Sequence, residues 1–562
     1  MKNLSDRFNY KSHGQPHGQP LRKLGWQLLS LAGLAGLLTM FGNLAVTPTS
    51  LAQDSGSGVE QTEPTIAIDQ IKVLGSTVFK DADFAPLIQP LLKQRVTLQQ
   101  LRQAADQITE LYLQNSYINT RAILPTEQPQ LSQGIVVLQV IEGELERIEI
   151  KRTGDVQGRL ADQYLRDRIA LGVTKPLNFA RIEDELQLLR ANPLIADIRA
   201  TLTAGTGAGQ SVLQVTVTEA NSFRVGGSLD NYGNSSTGIY RAGVNLQELN
   251  LFGIGDRLAL SYTRAGNSDS GSGGYQFPLN PTGGTLDFNF SIGQNTISEA
   301  PFDTLNIRTD SQTYELGYRQ PVIRTPNQEL SFSVATAIEQ SNSSLDGRSF
   351  NFQSGEFEDG RSQATVLRLG QEYLSRDQMG AWSLRSSFNL GLNMLGSTIR
   401  NNGFPDGRFF YWTGQILRVH RFSADPDNLM LFRLNAQLTG DNLLPLNRFS
   451  VGGPFSVRGY RQNQSTGDSG IQAALEFQLP IGWDQNGTSV LKLLPFVDAG
   501  TVWNSRGENL NQALFGLGMG LLWQPLRQLN LRLDYGVPLN RVNNATNNLQ
   551  DSGFYFSLGG NF

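Results

Sequence analysis

Apolar and polar residues alternate along the C-terminal part of the chain, from residue 221 to residue 562. The segment 286–292 reads LDFNFSI and the segment 384–392 reads LRSSFNLGL, and turns rich in Gly, Asn, Ser and Asp separate such segments. Strands of soluble sandwiches also alternate, but they are usually shorter. A tilted membrane strand needs about 9–11 alternating residues with one apolar face toward lipid. The pattern predicts a mainly β fold, a transmembrane antiparallel β-barrel with a polar lumen.

Ahead of the barrel, residues 66–143 mix strand and helix periodicities in the order strand, helix, helix, strand, strand. The first strand is expected to end before Gly75. Thr97 and Gln100 have the spacing of a capping box at the start of an amphipathic helix. Strands over 117–124 and 134–140 complete a sheet that this helix can cover. The region is therefore predicted to be a small α/β domain.

The same order recurs over residues 144–220. A strand over 145–150 precedes a helix over 159–170, a second helical stripe ends at Asn192-Pro193, and a strand over 213–219 closes the unit. Self-similarity at a period of about 75 residues indicates a duplicated domain.

The first 52 residues have the layout of a signal peptide. Basic residues precede the apolar stretch 28–38, and small residues end at Ala52 before a polar segment. We predict cleavage after Ala52, with residues 53–65 as a disordered lead-in. An N-terminal membrane anchor is the alternative, since apolar residues continue over 41–46.

Composition excludes several kinds of chemistry. The 562 residues include 59 Gly but no Cys, so no disulfide, cysteine nucleophile or cysteine metal ligand can form. Of the three histidines, only His420 follows the predicted cleavage site, which disfavours an outer-membrane hydrolase with Ser/His/Asp chemistry. We therefore predict no enzymatic activity, no catalytic residues, no metal and no cofactor. A net charge of −4 gives no sign of a nucleic-acid partner.

Two short motifs place isolated charges within the predicted barrel. The segment 452–460 reads GGPFSVRGY, and its glycines allow a tight turn that presents the Arg458 guanidinium at a loop tip. In the segment 496–500, FVDAG, Asp498 alternates with apolar neighbours and so faces the lumen. Oppositely charged groups that are partly shielded from water attract strongly and can pair bidentately. Arg458 and Asp498 are the natural couple, although two unrelated solvated charges would fit the spacing equally well.

The end of the chain also carries a signature. Phe554, Phe556, Leu558 and Phe562 share one face, and the chain ends on an aromatic residue. This resembles the C-terminal strand of bacterial outer-membrane barrels, where a terminal Phe is characteristic. A chance aromatic terminus is the alternative.

At these motifs the chain resembles the TpsB transporters of two-partner secretion, the ShlB/FhaC/HecB haemolysin secretion/activation family, in the superfamily that also contains the barrel-assembly insertases. The resemblance rests on the loop motif and on the wall motif of the barrel strand: Val457, Arg458, Gly459, Tyr460; Phe496, Asp498, Gly500. Further matches are DNYG at 230–233, GIGD at 253–256 and GDSG at 467–470. The family implies a 16-stranded barrel, POTRA domains at 66–143 and 144–220, and a loop folded into the barrel so that its Arg contacts the wall Asp.

The function implied by the resemblance is export of another protein. The barrel would lie in the outer membrane, surrounded by its lipid and inserted by the barrel assembly machinery, with the POTRA domains in the periplasm. Its partner would be a secreted TpsA-like exoprotein, recognised unfolded by the POTRA domains and moved through the barrel to the cell surface by type V secretion.

Other functions fit the sequence less well. An assembly insertase of the same superfamily is the alternative, although insertases typically carry more POTRA domains. The POTRA-like units also disfavour a diffusion porin. One departure from the family is that residues 53–65 are too short and polar to supply an N-terminal plug helix and its linker.

Overall fold

The structure is a computed structural model that describes residues 64–154, 158–352, 359–400, 404–506, 512–540, 542, 544 and 548–562. The predicted signal peptide and almost all of the predicted lead-in lie outside these residues. Within the described part of the chain, no helix combines the length and the hydrophobicity that crossing a membrane requires.

The first α/β unit has the predicted order of elements, except that an unpredicted short strand lies between its two helices and that two predicted strands differ in extent. Its elements are β1 (Thr65–Ile68), β2 (Gln70–Leu74), α1 (Asp81–Ile88), β3 (Gln94–Thr97), α2 (Leu98–Gln114), β4 (Arg121–Ile123) and β5 (Ile135–Ile141), with short 3₁₀ helices at Gln89–Leu91 and Leu131–Gln133. The predicted opening strand is divided into β1 and β2. The strand predicted over 117–124 is only β4, because a turn donates the Thr120 N–H to the Tyr117 carbonyl at 3.1 Å.

The capping box at the start of α2 forms as predicted. The Gln100 N–H donates to Thr97 Oγ1 at 3.2 Å, and the Thr97 N–H donates to Gln100 Oε1 at 2.8 Å. These bonds satisfy two amide groups that have no partner within the helix. α2 then buries one apolar face, which includes Leu101, Ile108 and Tyr112, in the core of the unit.

The second α/β unit repeats the topology of the first. It consists of β6 (Glu144–Arg152), α3 (Asp162–Ala170), α4 (Phe179–Arg190), β7 (Ile195–Ala204) and β8 (Gln210–Glu219). β8 lies centrally, parallel to β6 and antiparallel to β7, just as β5 lies parallel to β2 and antiparallel to β4. The shared strand order and directions are what duplication of one domain produces.

Two features of the second unit differ from the sequence prediction. The first helix begins at Asp162 and not at Arg159. β7 was not predicted, because a bulge between Ile195 and Asp197 interrupts its alternation. The buried residues Ile195 and Ile198 are therefore three positions apart, which is not the period of two that marks a regular strand.

The rest of the described chain forms the predicted barrel, closed by 16 antiparallel strands. These strands are β9 (Phe223–Asp230), β10 (Arg241–Glu248), β11 (Arg257–Ala265), β12 (Ser268–Pro278), β13 (Thr285–Thr296), β14 (Ile307–Arg324), β15 (Gln328–Leu345), β17 (Arg361–Asp377), β18 (Gly380–Leu392), β19 (Phe410–Arg421), β20 (Leu429–Thr439), β23 (Ser469–Trp483), β24 (Ser489–Trp503), β25 (Gln512–Leu526), β26 (Leu529–Pro538) and β27 (Phe554–Asn561). A two-residue strand, β16 (Arg348–Ser349), pairs antiparallel with the end of β15, and β21 (Phe449–Val451) pairs with β22 (Ser465–Gly467) in a separate hairpin. Further 3₁₀ turns lie at Asp303–Leu305 and Pro445–Asn447.

Alternation along the strands separates the outer wall from the lumen. Val497 is 51% exposed on the outer face, whereas its neighbour Asp498 is 1% exposed inside the barrel. The last strand β27 pairs with β9, and the backbone of Phe562 exchanges two hydrogen bonds with Val225 at 2.7 and 2.9 Å. The terminal Phe therefore completes the ring of strands, and the closed sheet has no free edge.

The turn between β10 and β11 joins the barrel to the second α/β unit. Leu249 lies in the apolar core of that unit, and the Gly253 carbonyl accepts a hydrogen bond from the Ala161 N–H at 2.7 Å. Gly255 lies so close to the Tyr164 ring that a Cβ at this position would approach it to 2.4 Å. The two glycines of the GIGD motif therefore allow close packing between the second α/β unit and the barrel.

Candidate functional site

The connection between β20 and β23 folds into the barrel lumen. The hairpin β21–β22 carries the loop tip, where Gly452 and Gly453 have φ values of 107° and 99° that L-residues rarely adopt. Val451, Val457 and Tyr460 are buried against the wall in one apolar cluster. The segment that sequence analysis predicted to be a loop tip is therefore packed inside the barrel.

Arg458 lies against Asp498 on the wall strand β24. Its Nε donates to Asp498 Oδ2 at 2.7 Å and its Nη2 donates to Oδ1 at 2.9 Å, while its backbone N–H donates to Oδ2 at 3.1 Å. Both residues are 1% exposed. The structure thus brings together the two residues that the motifs suggested as a pair, in a bidentate geometry that fixes the position of the loop tip.

Two further carboxylates belong to the same ionic cluster. Arg458 Nη1 donates to Glu476 Oε2 on β23 at 2.7 Å and lies 3.6 Å from Asp534 Oδ1 on β26. Arg532 bridges the same two carboxylates, with Nη2 2.7 Å from Glu476 and Nε 2.6 Å from Asp534. Arg433 on β20 adds a third positive charge at longer range. Three cations facing three anions leave the buried cluster without net charge, which lowers the cost of removing it from water.

Phe496 and a row of glycines shape the wall beneath Arg458. The Arg458 guanidinium carbon lies 3.3 Å from the centre of the Phe496 ring, within cation–π distance. A Cβ at Gly516 would meet the Arg458 carbonyl oxygen at 2.0 Å, and a Cβ at Gly536 would meet the Gly459 nitrogen at 2.6 Å. The loop backbone therefore rests directly on wall positions that only glycine can occupy.

The residues around Arg458 in the loop motif are held by hydrogen bonds. The Gly459 N–H donates to the Tyr555 hydroxyl at 2.9 Å, and this hydroxyl donates to the Tyr460 carbonyl at 2.5 Å. The Tyr460 hydroxyl in turn lies 3.0 Å from the Phe515 carbonyl oxygen. Gly500 faces the loop as well, since a Cβ there would meet Val457 at 3.0 Å. Each residue of the two motifs thus contacts the other motif or the wall beside it.

Sequence analysis did not identify Glu476, Arg532, Asp534 or Tyr555 as part of this site. Each lies on the lumen face of its strand, and Arg532 and Asp534 have the alternation that such a face produces. Alternation does not show which lumen residues lie at the same height, because that depends on the stagger between strands. The same alternation along β20 predicts that Arg433, Asn435 and Gln437 face the lumen, and Gln437 is buried there with its amide donating to the Asn447 carbonyl at 2.8 Å.

The arrangement can hold and release a segment, but the described residues show no arrangement typical of a reaction centre. No group of three or more His, Asp or Glu side chains in the described ranges is placed to hold a metal ion. The barrel thus has a polar lumen that holds an inward loop, and the ionic cluster fixes this loop to the wall.

Comparison with known proteins gives consistent matches over most of the chain. The family described as "Haemolysin secretion/activation protein ShlB/FhaC/HecB" matches residues 209–522, and "POTRA domain, ShlB-type" matches residues 66–143. The outer membrane transporter CdiB of Dickeya dadantii is 23% identical over 85% of this chain and 83% of its own length. The heme/hemopexin transporter protein HuxB of Haemophilus influenzae is 24% identical over 82% of each chain. The structure of CdiB from Escherichia coli superposes with a TM-score of 0.67 at 20% identity, covering 90% of this chain and 93% of that one.

Fold and site together define an outer-membrane β-barrel transporter with periplasmic POTRA structure and a lumen loop. The chain belongs to the haemolysin secretion/activation family ShlB/FhaC/HecB, the TpsB transporters. The resemblance found in the loop and wall motifs is thereby confirmed, as are the mainly β fold and the outer-membrane location.

Proposed function

We propose that this transporter recognises an unfolded exported partner through two POTRA domains, residues 66–143 and 144–220, and moves it through the barrel to the cell surface. The partner would be a TpsA-like exoprotein, and the process type V two-partner secretion. Supporting this, the relatives CdiB and HuxB are named as transporters and align over most of their length. The observation that carries the proposal is the buried contact of Arg458 with Asp498, which holds one loop across an otherwise polar lumen.

Recognition would take place at the edges of the POTRA sheets. In the part of the chain that the structure describes, β6 and β7 are the end strands of their sheet, with β8 between them. They span nine and ten residues, long enough to pair with an extended segment. Main-chain hydrogen bonds to an added strand place little demand on sequence, so an unfolded partner can bind at either edge.

Passage would require the loop to leave the lumen. When the loop leaves, Arg458 is withdrawn and the wall keeps three carboxylates facing two arginines, so water in the channel must solvate the remaining negative charge. The sequence has no ATP-binding loop. Directionality would therefore come from the partner folding outside the cell. Lipid of the outer membrane would contact the apolar outer wall, and the barrel assembly machinery would insert the barrel.

The experiment compares secreted proteins from the source bacterium with and without the gene. Deletion should remove one or a few large proteins from the medium and the cell surface, and the full-length chain should restore them. A variant lacking residues 66–219 should insert as a barrel but restore nothing, since docking and conduction lie on separate parts of the chain.

The same cells separate secretion from membrane-protein assembly. If the chain were an insertase, the abundance of many outer-membrane barrels would fall in the deletion strain while no secreted protein was selectively lost. Secretion at wild-type level by the variant without residues 66–219 would refute docking on the POTRA domains.

A further inference from the structure

The lumen loop is also attached to wall strands other than those that hold Arg458. Between β20 and the hairpin, the chain passes through Leu443 and Leu444 into the 3₁₀ turn Pro445–Asn447. In that turn the Asn447 side-chain amide donates to Glu339 Oε2 on β15 at 2.6 Å, and both residues are buried. No residue of this second attachment belongs to the loop motif or the wall motif.

Glu339 is held in place by charges on neighbouring strands. Arg368 on β17 forms ion pairs with Glu339 and with Glu315 on β14. Glu339 therefore joins the wall to the loop, accepting from Arg368 with one oxygen and from Asn447 with the other. A carboxylate fixed by an arginine is a stronger acceptor than a neutral group, and its buried location shields the bond from water.

Apolar packing supports the same contact. Leu443 and Leu444 are 0% and 2% exposed and pack on the lumen side of β17 and of the chain entering β19. Their neighbours on the wall are Ala364, Val366, Phe409 and Tyr411. This apolar patch on the wall of a polar lumen provides a specific packing site for the segment that leads into the loop.

The two attachments lie on different parts of the barrel. Asn447 binds β15, whereas Arg458 binds β23 and β24, and the strands β17, β18, β19 and β20 lie between these two groups. The segment from Asn447 to Arg458 is therefore fixed at its two ends to separate groups of wall strands. A segment fixed at both ends obstructs a channel more firmly than a loop fixed only at its tip.

We propose that Asn447 and Glu339, with Arg368 as support, form a second latch that holds the lumen loop closed together with Arg458 and Asp498. Asn447 and Glu339 are positioning residues, and the inference rests on the proposed function in that it concerns the loop that must move for transport. Releasing one latch leaves the loop tethered by the other. Full opening requires the loss of both.

The test is single-channel recording of the purified full-length chain in planar bilayers, with no exported partner present. Asn447→Asp places a second carboxylate beside Glu339, and we expect openings to become roughly tenfold more frequent because a charge-assisted hydrogen bond becomes a repulsion. Adding Glu339→Gln to Asn447→Asp restores an amide–carboxylate pair with the roles exchanged, and should return the openings toward wild type. Glu372→Gln is the matched control, since Glu372 is a lumen carboxylate that pairs with Arg319 and Arg385.

Combining Asn447→Asp with Arg458→Ala tests the two-ended attachment. The double variant should open to a larger conductance than either single variant. The proposal is overturned if Asn447→Asp behaves as wild type, or if Arg458→Ala alone gives the conductance of the double variant. Heat-modifiable gel mobility verifies that each barrel is folded. Since no partner is used, these results stand apart from the secretion experiment, whose failure would refute the proposed function and leave the latch intact.

Discussion

Arg458 is among the largest side chains that are almost completely buried in the described structure. Burying a guanidinium is costly unless charged and hydrogen-bonding partners surround it, and here Asp498 and Glu476 supply them. Removing one member leaves the others uncompensated, at a cost of about 3–5 kcal/mol. Because this cost falls on the closed arrangement only, it shifts the loop toward release.

Arg458→Ala and Asp498→Ala should each sharply reduce secretion while the barrel still assembles, because a loop that is released permanently can no longer return to the wall and open in response to the exported partner. The pair positions one loop and makes no hydrogen bond of the strand ladder, so strand pairing should survive. Secretion is measured by immunoblotting an exported protein in medium and cells, and assembly by heat-modifiable mobility. Restoration by the exchange Arg458→Asp with Asp498→Arg would show that pairing itself matters. Normal secretion by either alanine variant would exclude a role of the pair in transport.

Gly516 provides a test that leaves every charge in place. Gly516→Ala would put a Cβ 2.0 Å from the Arg458 carbonyl oxygen, so the loop tip must move away from the wall. We expect channel openings to become more frequent in planar bilayers. Gly271→Ala is the control, because its Cβ would have only the Ser261 carbonyl oxygen near it, at 3.9 Å. Equal behaviour of the two variants would mean that close contact with the wall does not hold the loop.

Single elements show what the sequence could and could not predict. The start of α2 was predictable because Thr97 and Gln100 interact within one helical turn. β7 was missed because its bulge removes the local period of two. The faces of the barrel strands were predictable because alternation is also a local pattern. The clustering of Glu476, Arg532 and Asp534 around Arg458 was not predictable. It depends on the register of strands far apart in sequence, which no local pattern encodes.

The turn between β10 and β11 couples the barrel to the second α/β unit. Gly255→Ala would press a Cβ against Tyr164 and should loosen α3, which is measured as faster hydrogen–deuterium exchange over residues 162–170. Gly347→Ala is a matched control, since Gly347 has φ 76° against 77° for Gly255 but no atom within 4 Å of its Cβ. The backbone strain is therefore equal in both variants. Unchanged exchange in Gly255→Ala would show that this contact does not stabilise the unit.

In the proposed function, obstruction and docking belong to different parts of the chain. The α/β units present sheet edges, and the barrel supplies the lumen and the loop. If the loop is the main obstruction, conductance should depend on it more than on the N-terminal segment.

Single-channel recording in planar bilayers can compare three chains: wild type, a variant without residues 53–65, and a variant in which residues 452–464 are replaced by an Asn-Gly turn. The replacement preserves the ladder because Val451 and Ser465 are already paired, and Asn-Gly suits a two-residue hairpin. We expect a large rise in conductance for the loop variant only, since the replacement takes Arg458 and the rest of the loop tip out of the lumen. Heat-modifiable mobility controls for folding. A large rise on removing residues 53–65, with little change on shortening the loop, would place the plug at the N-terminus and contradict the obstruction assigned to the loop.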